Sequence, residues 1–254
     1  MPDVRLVGLH GFTQTGAHWQ PVLTAASRRL AAAGIEAECV HPDLPGHGTA
    51  SDRPCEFDEA MTALLADVPT RAYPTVWAGY SMGGRHLLHL ATRHPERVDG
   101  CVLVSTTAGI DDAAARAERR RSDAARADEV EQLGVERFIA QWTAMPLFAT
   151  MPASDHDLAE RHRNTASGLA ASLRSAGTGA QEPLWDLLHV VDVPTVVLTG
   201  DLDTKFTLLG ERLARSLPVA EHRRRPACGH ALLAEDSASV SDAIVDVATQ
   251  VACG

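Results

Sequence analysis

Residues Gly79-Tyr80-Ser81-Met82-Gly83-Gly84-Arg85 follow directly on the apolar run Thr75-Val76-Trp77-Ala78. Few folds accommodate a serine flanked this way at the junction of a β-like run and a helical one. The chain must leave a strand, turn sharply at Ser81 and enter a helix. Glycines are needed where strand and helix approach closely. Such a turn exposes a hydroxyl at the carboxyl edge of a sheet and aims the Met82 N–H at any oxyanion developing beside it.

The rest of the chain extends the same pattern. Val4–Leu9, Ala37–Val40, Cys101–Val104 and Thr195–Leu198 are short apolar runs that read as strands. Ala25–Ala33, Phe57–Val68, Met82–Thr92 and Val240–Val251 have helical character. Short strands, apolar on both faces and alternating with helices, predict an α/β fold whose mostly parallel sheet is covered on both sides. Ligands of such sheets bind outside the carboxyl ends of the strands. Three turns fall at that edge: His10-Gly11-Phe12, the Ser81 turn, and Asp201-Leu202-Asp203. Residues 108–188 break the alternation with an Ala-, Arg- and Glu-rich stretch of helical patterning. The expected organisation is a core of residues 1–107 and 189–254 with a helical cap, 108–188, over the strand ends.

A formal net charge of -10 disfavours nucleic acid and anionic membrane surfaces as partners. All basic side chains except Lys205 are arginines. The five cysteines are odd in number and scattered, without CxxC spacing, which fits reduced thiols in a cytoplasmic protein. No leader peptide is expected before the first strand, and no apolar run reaches the length of a membrane span. His86 and His89 stand at helical spacing, but no third ligand continues the pattern, so no metal site is predicted.

A serine hydroxyl needs an imidazole within hydrogen-bond reach, and the imidazole needs a carboxylate to fix its tautomer. On an elbow of this type the chain order is serine, acid, histidine. After the run ending Leu198-Thr199-Gly200 come Asp201 and Asp203, and later Cys228-Gly229-His230. Asp203 is the expected acid and His230 the expected base, with Asp201 as the competing acid. The N–H groups of Phe12 and Met82 are the expected oxyanion hole.

The elbow, Leu9-His10-Gly11-Phe12-Thr13 and Asp43-Leu44-Pro45-Gly46-His47-Gly48 resemble the 2-succinyl-6-hydroxy-2,4-cyclohexadiene-1-carboxylate synthases of menaquinone biosynthesis, a family with the α/β-hydrolase fold. The 108–188 stretch is similar to that family's cap. The matching segments are Ala108-Gly109-Ile110, Arg116 to Asp123, Phe138, Trp142, Pro146-Leu147-Phe148-Ala149 and Gly177 to Gln181. Gly200 to Phe206 matches its acid loop. The resemblance implies an elimination: a proton next to a succinyl ketone is removed and pyruvate leaves from an enolpyruvyl ether. Ser81, activated by His230 and Asp203, would abstract that proton. The resemblance implies no cofactor and no metal. It implies a small anionic substrate held by Arg85, Arg119 and Arg163, with Trp142 and Tyr80 as further contacts. Guanidinium groups suit such a tricarboxylate, being always charged and able to bind bidentately. Thr143 stands where relatives can carry a tyrosine. A serine hydrolase (an esterase, a thioesterase or a C–C bond hydrolase) would use the same triad. A non-catalytic receptor on this fold would not require it.

Overall fold

Six apolar or alternating runs form one parallel sheet in the computed structural model, which describes residues 1–253. The strands are β1 (Val4–Leu9), β2 (Ala37–Val40), β3 (Thr75–Tyr80), β4 (Gly100–Val104), β5 (Thr195–Gly200) and β6 (Ala220–Arg225). Their order is β2-β1-β3-β4-β5-β6, all parallel. The order reverses between β1 and β3, and this switch point opens a crevice at their carboxyl ends.

Alternation sorts the strand residues between two cores. Val4 and Leu6, Val76 and Ala78, Val102 and Val104, and Val196 and Leu198 face one layer. There they meet Leu23 and Leu30 of α1 (Gln20–Ala32) and Ile244 and Val247 of α10 (Ser237–Cys253). Val7, Leu9, Trp77, Leu103 and Val197 face the other layer. That layer is closed by α2 (Phe57–Asp67), α3 (Met82–Arg93) and α8 (Thr204–Ser216). β6 reads Ala-Glu-His-Arg-Arg-Arg and lies at the sheet edge, where charged side chains discourage pairing with another chain.

Between β4 and β5 lie the helices α4 (Ala113–Leu133), α5 (Val135–Thr143), α6 (Asp155–Arg161) and α7 (Ala166–Ala176), with no strand. Asp112 caps α4 by accepting from the Ala115 N–H at 2.7 Å, and Gly134, at φ 77°, ends it. Helices α4, α5 and α7 pack around Ala127, Val130, Phe138, Leu169 and Leu173, and Phe12 reaches this cluster from below. The short α9 (Leu232–Glu235) precedes α10. No described helix is long and apolar enough to cross a membrane.

Candidate active site

Ser81 sits between β3 and α3 at φ 51°, ψ −105°, a conformation L-residues avoid. Surrounding bonds hold it there. Its N–H donates to Val104 O at 2.8 Å, and the Thr106 hydroxyl donates to its carbonyl at 2.8 Å. The flanking glycines are sterically required. A Cβ on Gly83 would lie 2.0 Å from Leu9 O, and one on Gly79 would lie 2.6 Å from the Gly84 Cα. The start of α3 is therefore pressed against the end of β1. Met82 opens that helix, so its N–H has no intrahelical acceptor.

The structure brings Ser81, His230 and Asp203 together. His230 Nε2 is 3.1 Å from Ser81 Oγ, and His230 Nδ1 is 2.7 Å from Asp203 Oδ2. With Nδ1–H donating to the carboxylate, Nε2 faces the serine hydroxyl as an acceptor. Asp203 is itself anchored as the N-cap of α8, accepting from the Phe206 N–H at 3.2 Å. Asp201 points elsewhere, pairing with Arg224 at 2.8 Å on the surface. Geometry thus separates two acids that the sequence left in competition.

Glu235 grips the backbone on both sides of His230. Its carboxylate accepts from the Gly229 N–H at 2.6 Å and from the Ala231 N–H at 2.9 Å. Removing it leaves two N–H groups without acceptors and frees the loop that aims the imidazole. Glu235→Ala is expected to lower kcat about 10- to 100-fold with little change in KM, and Glu235→Gln to fall between, since each carboxylate oxygen accepts one of the two bonds and the amide replaces one of them with a donor NH2. Equal kcat in all three proteins would rule out this positioning.

The loop carrying Phe12 is fixed by two histidines acting reciprocally. His10 Nε2 accepts from the Leu44 N–H at 2.9 Å, and His47 Nε2 accepts from the Thr13 N–H at 3.4 Å. Their Nδ1 atoms face the carbonyls of Gly11 (2.9 Å) and Pro45 (3.1 Å) as donors. Both rings are therefore neutral with the proton on Nδ1. Burial pushes His10 down to about 3, with His47 beside it acting the same way. Burial pushes His47 down to about 4. Thr13, at φ 67°, accepts at its carbonyl from Asn164 at 2.8 Å and at its hydroxyl from Arg161. The Phe12 N–H makes no hydrogen bond among the described residues, and Phe12 and Met82 both line the cavity at Ser81.

Over Ser81 lies a cavity of about 170 Å³. Phe12, Tyr80, Met82, Arg85, Arg119 and Trp142 all line it. Arg85 is buried, donates to Ala176 O at 2.6 Å and lies over the Phe57 ring. Burial, with Arg119 nearby, pushes its guanidinium down to about 10, which leaves it charged at neutral pH. Arg119 donates to Asp123 at 2.7 Å. Trp142 stacks edge-on against Phe12 at 5.0 Å between ring centroids. Thr143 turns its hydroxyl back to Ile139 O at 2.9 Å and does not line the cavity.

Arg163 is a correction. It lies outside the cavity, half-exposed, paired with Glu160 at 2.8 Å. Arg161, two residues earlier, takes the inward place: buried, lining the cavity, and held by Asp157 at 2.7 Å and by Thr13. Sequence reasoning missed Arg161 because α6 ends there. The helical phase turns Arg161 inward with Asp157 one turn before it, whereas Arg163 follows the last turn. The spacing Asp157–Arg161 was the available signal. Asp123 was also missed; its carboxylate accepts from Arg119 and from the Gly179 N–H at 3.0 Å. Among the described residues no group of three His, Cys, Asp or Glu is placed to hold a metal. His86 and His89 pack on Phe57 instead, the His89 ring stacking at 4.0 Å.

A parallel sheet, a strained serine elbow and an acid–histidine relay beneath a helical insertion define an α/β hydrolase, and residues 6–243 match the alpha/beta hydrolase family. Within that class a 2-succinyl-6-hydroxy-2,4-cyclohexadiene-1-carboxylate synthase from Klebsiella pneumoniae is 32% identical over 92% of this chain and 94% of its own length. A Bacillus subtilis relative is 32% identical over 91% of this chain and 85% of its own. The structure of MenH from S. aureus superposes with a TM-score of 0.86 at 29% identity, covering 98% of this chain and 95% of that one. The chain belongs to the 2-succinyl-6-hydroxy-2,4-cyclohexadiene-1-carboxylate synthase family.

Proposed function

We propose that this chain is a carbon–oxygen lyase of menaquinone biosynthesis that eliminates pyruvate from 2-succinyl-5-enolpyruvyl-6-hydroxy-3-cyclohexene-1-carboxylate. The observation that carries the reading is the pairing of a complete Ser81–His230–Asp203 relay with an arginine-lined cavity. His230 takes the Ser81 proton at Nε2, and the serine oxygen removes the substrate proton activated by the succinyl carbonyl. The enolate oxygen so formed is met by the Phe12 and Met82 N–H groups. As the electrons return, the C–O bond to the enolpyruvyl group breaks, and the departing pyruvate carries off the bonding pair. Ser81 now carries the proton taken from the substrate, so protonated His230 passes its proton to the departing enolpyruvate, which leaves as pyruvate, and the enzyme ends the cycle unchanged. No acyl-enzyme forms.

Arg85, Arg119 and Arg161 hold carboxylates of the substrate, and Trp142, Tyr80 and Phe12 shape its apolar surroundings. Residues 108–188 are the cap that excludes water from this cavity, carried by a core of residues 1–107 and 189–254. The same reading takes the partner to be a small anionic molecule and not nucleic acid, in keeping with the net charge of -10. It places the enzyme in the cytoplasm, in keeping with five cysteines that are all free.

The test supplies the enolpyruvyl substrate and follows pyruvate release. Arg85→Ala is expected to lower kcat/KM for it about 100-fold, the order expected when one partner of a buried charge pair is removed. Hydrolysis of a neutral nitrophenyl ester, if any, should change little. Absence of pyruvate alongside brisk ester hydrolysis would instead identify a serine hydrolase.

A further inference from the structure

Four cations and one carboxylate line the cavity: Arg85, Arg119, Arg161, Lys205 and Asp123. The three arginines are already engaged by the protein. Arg85 is bound to Ala176 O, Arg119 to Asp123, and Arg161 to Asp157 and Thr13. Lys205 differs. Among the described residues its ammonium has no hydrogen-bond or ion-pair partner, and its nearest aromatic contact is the Phe206 ring, 5.5 Å from Nζ to centroid. Phe206 in turn packs on His230 at 4.4 Å, so Lys205 stands on the side of the cavity that carries the acid and the base.

Nothing in the fold calls for a cation there. Lys205 lies in the first turn of α8, where a positive charge opposes the helix dipole. It is exposed and makes no ion pair with a carboxylate among the described residues. It is also the chain's only lysine, at a single departure from a uniform use of arginine. A lysine offers a compact, strongly hydrated charge on a flexible stem, suited to capturing an anion and letting it go.

We infer that Lys205 is the substrate-binding cation for one carboxylate of the tricarboxylate, at the end remote from Arg85 and Arg119. The inference rests on the lyase reading above. Asp123 and Asp157 each neutralise one of the cavity arginines, so Lys205 raises the net charge facing the tricarboxylate from one positive to two.

The experiment compares wild type, Lys205→Met and Lys205→Arg with the enolpyruvyl tricarboxylate, following pyruvate at two ionic strengths. Lys205→Met is expected to raise KM roughly 10- to 100-fold, the size of one lost charge-assisted hydrogen bond. Its kcat and pH profile should stay close to wild type, because the Asp203–His230–Ser81 relay is untouched. Lys205→Arg should recover KM to within about threefold, since the charge is kept. The salt dependence of KM should flatten in the methionine variant. Wild-type pyruvate release with an unchanged KM in Lys205→Met overturns the assignment and leaves the lyase reading standing. A methionine-like KM in Lys205→Arg also overturns it, because charge would then not be the cause. No pyruvate from wild type overturns both.

Discussion

Ser81→Ala is expected to lower kcat/KM for pyruvate release by about 10²- to 10⁴-fold, the usual contribution of a positioned general base. The loss should appear in kcat, because Ser81 meets the substrate proton as it is removed and the carboxylate-binding cations stay in place. Asp203→Asn should cause a loss of similar order. An amide at 2.7 Å from His230 Nδ1 favours the wrong tautomer and turns Nε2 into a donor facing Ser81. Asp201→Asn, which alters only a surface pair with Arg224, should stay within about twofold of wild type. Stopped-flow measurement with the natural substrate should show no burst, since the elimination passes through no covalent intermediate. Activity within fivefold of wild type in Ser81→Ala would remove the serine from the mechanism.

The second large effect concerns stability in acid. Four buried histidines, His10, His47, His86 and His89, are neutral in the folded chain. Burial pushes His10 and His89 down to about 3, His47 down to about 4, and His86 well below its ordinary value. Geometry explains the rest. His10 and His47 use Nε2 as an acceptor from backbone N–H groups, and among the described residues the buried His89 nitrogens and His86 Nδ1 have no hydrogen-bond partner. Unfolding exposes all four to water, where each titrates near 6.5. Between roughly pH 4 and 6.5 the unfolded chain therefore binds more protons than the folded one. Stability is complete above that window and falls as the pH drops through it. Each histidine contributes about 1.4 kcal/mol per pH unit, so four together give about 5 kcal/mol per unit in the middle of the window. A domain stable by about 5–15 kcal/mol should thus unfold within one to three pH units below 6.5. Urea titrations across pH 7.5 to 4.5 measure the slope. Replacing His86 and His89 together with leucine should reduce it by about two protons. An unaltered slope in that variant would remove His86 and His89 as its cause; Asp43 and Asp157, whose carboxyls are held below their usual range, lose their stabilisation only below about pH 4 and cannot supply it.

Much of this was legible in the residues because local rules were enough. The strand–glycine–serine–glycine–helix run dictates the elbow, and the structure adds its measure: 2.0 Å between a would-be Gly83 Cβ and Leu9 O. Apolar runs marked five of the six strands. The sixth, Ala220–Arg225, was harder to read because an edge strand carries charge in place of alternation. Helix α8 was hidden in the acid loop, since Asp203 serves at once as helix cap and as the partner of His230. In the cap, composition predicted helices without their bounds: Ala113–Leu133 runs unbroken for 21 residues.

The sequence by itself determined the sheet class, the serine elbow, the order of serine, acid and histidine, and the family. Each depends on near neighbours in the chain or on motifs a few residues long. The tertiary structure put Asp203, the acid expected from the sequence, on His230 and paired Asp201 with Arg224; it alone turned Arg161 inward in place of Arg163 and, among the described residues, left Lys205 without a partner while every cavity arginine gained one. Those choices depend on which side chains from distant segments converge on one cavity, and on the phase at which each helix presents its residues. Residues 149 positions apart, such as Ser81 and His230, meet only when the sheet has formed.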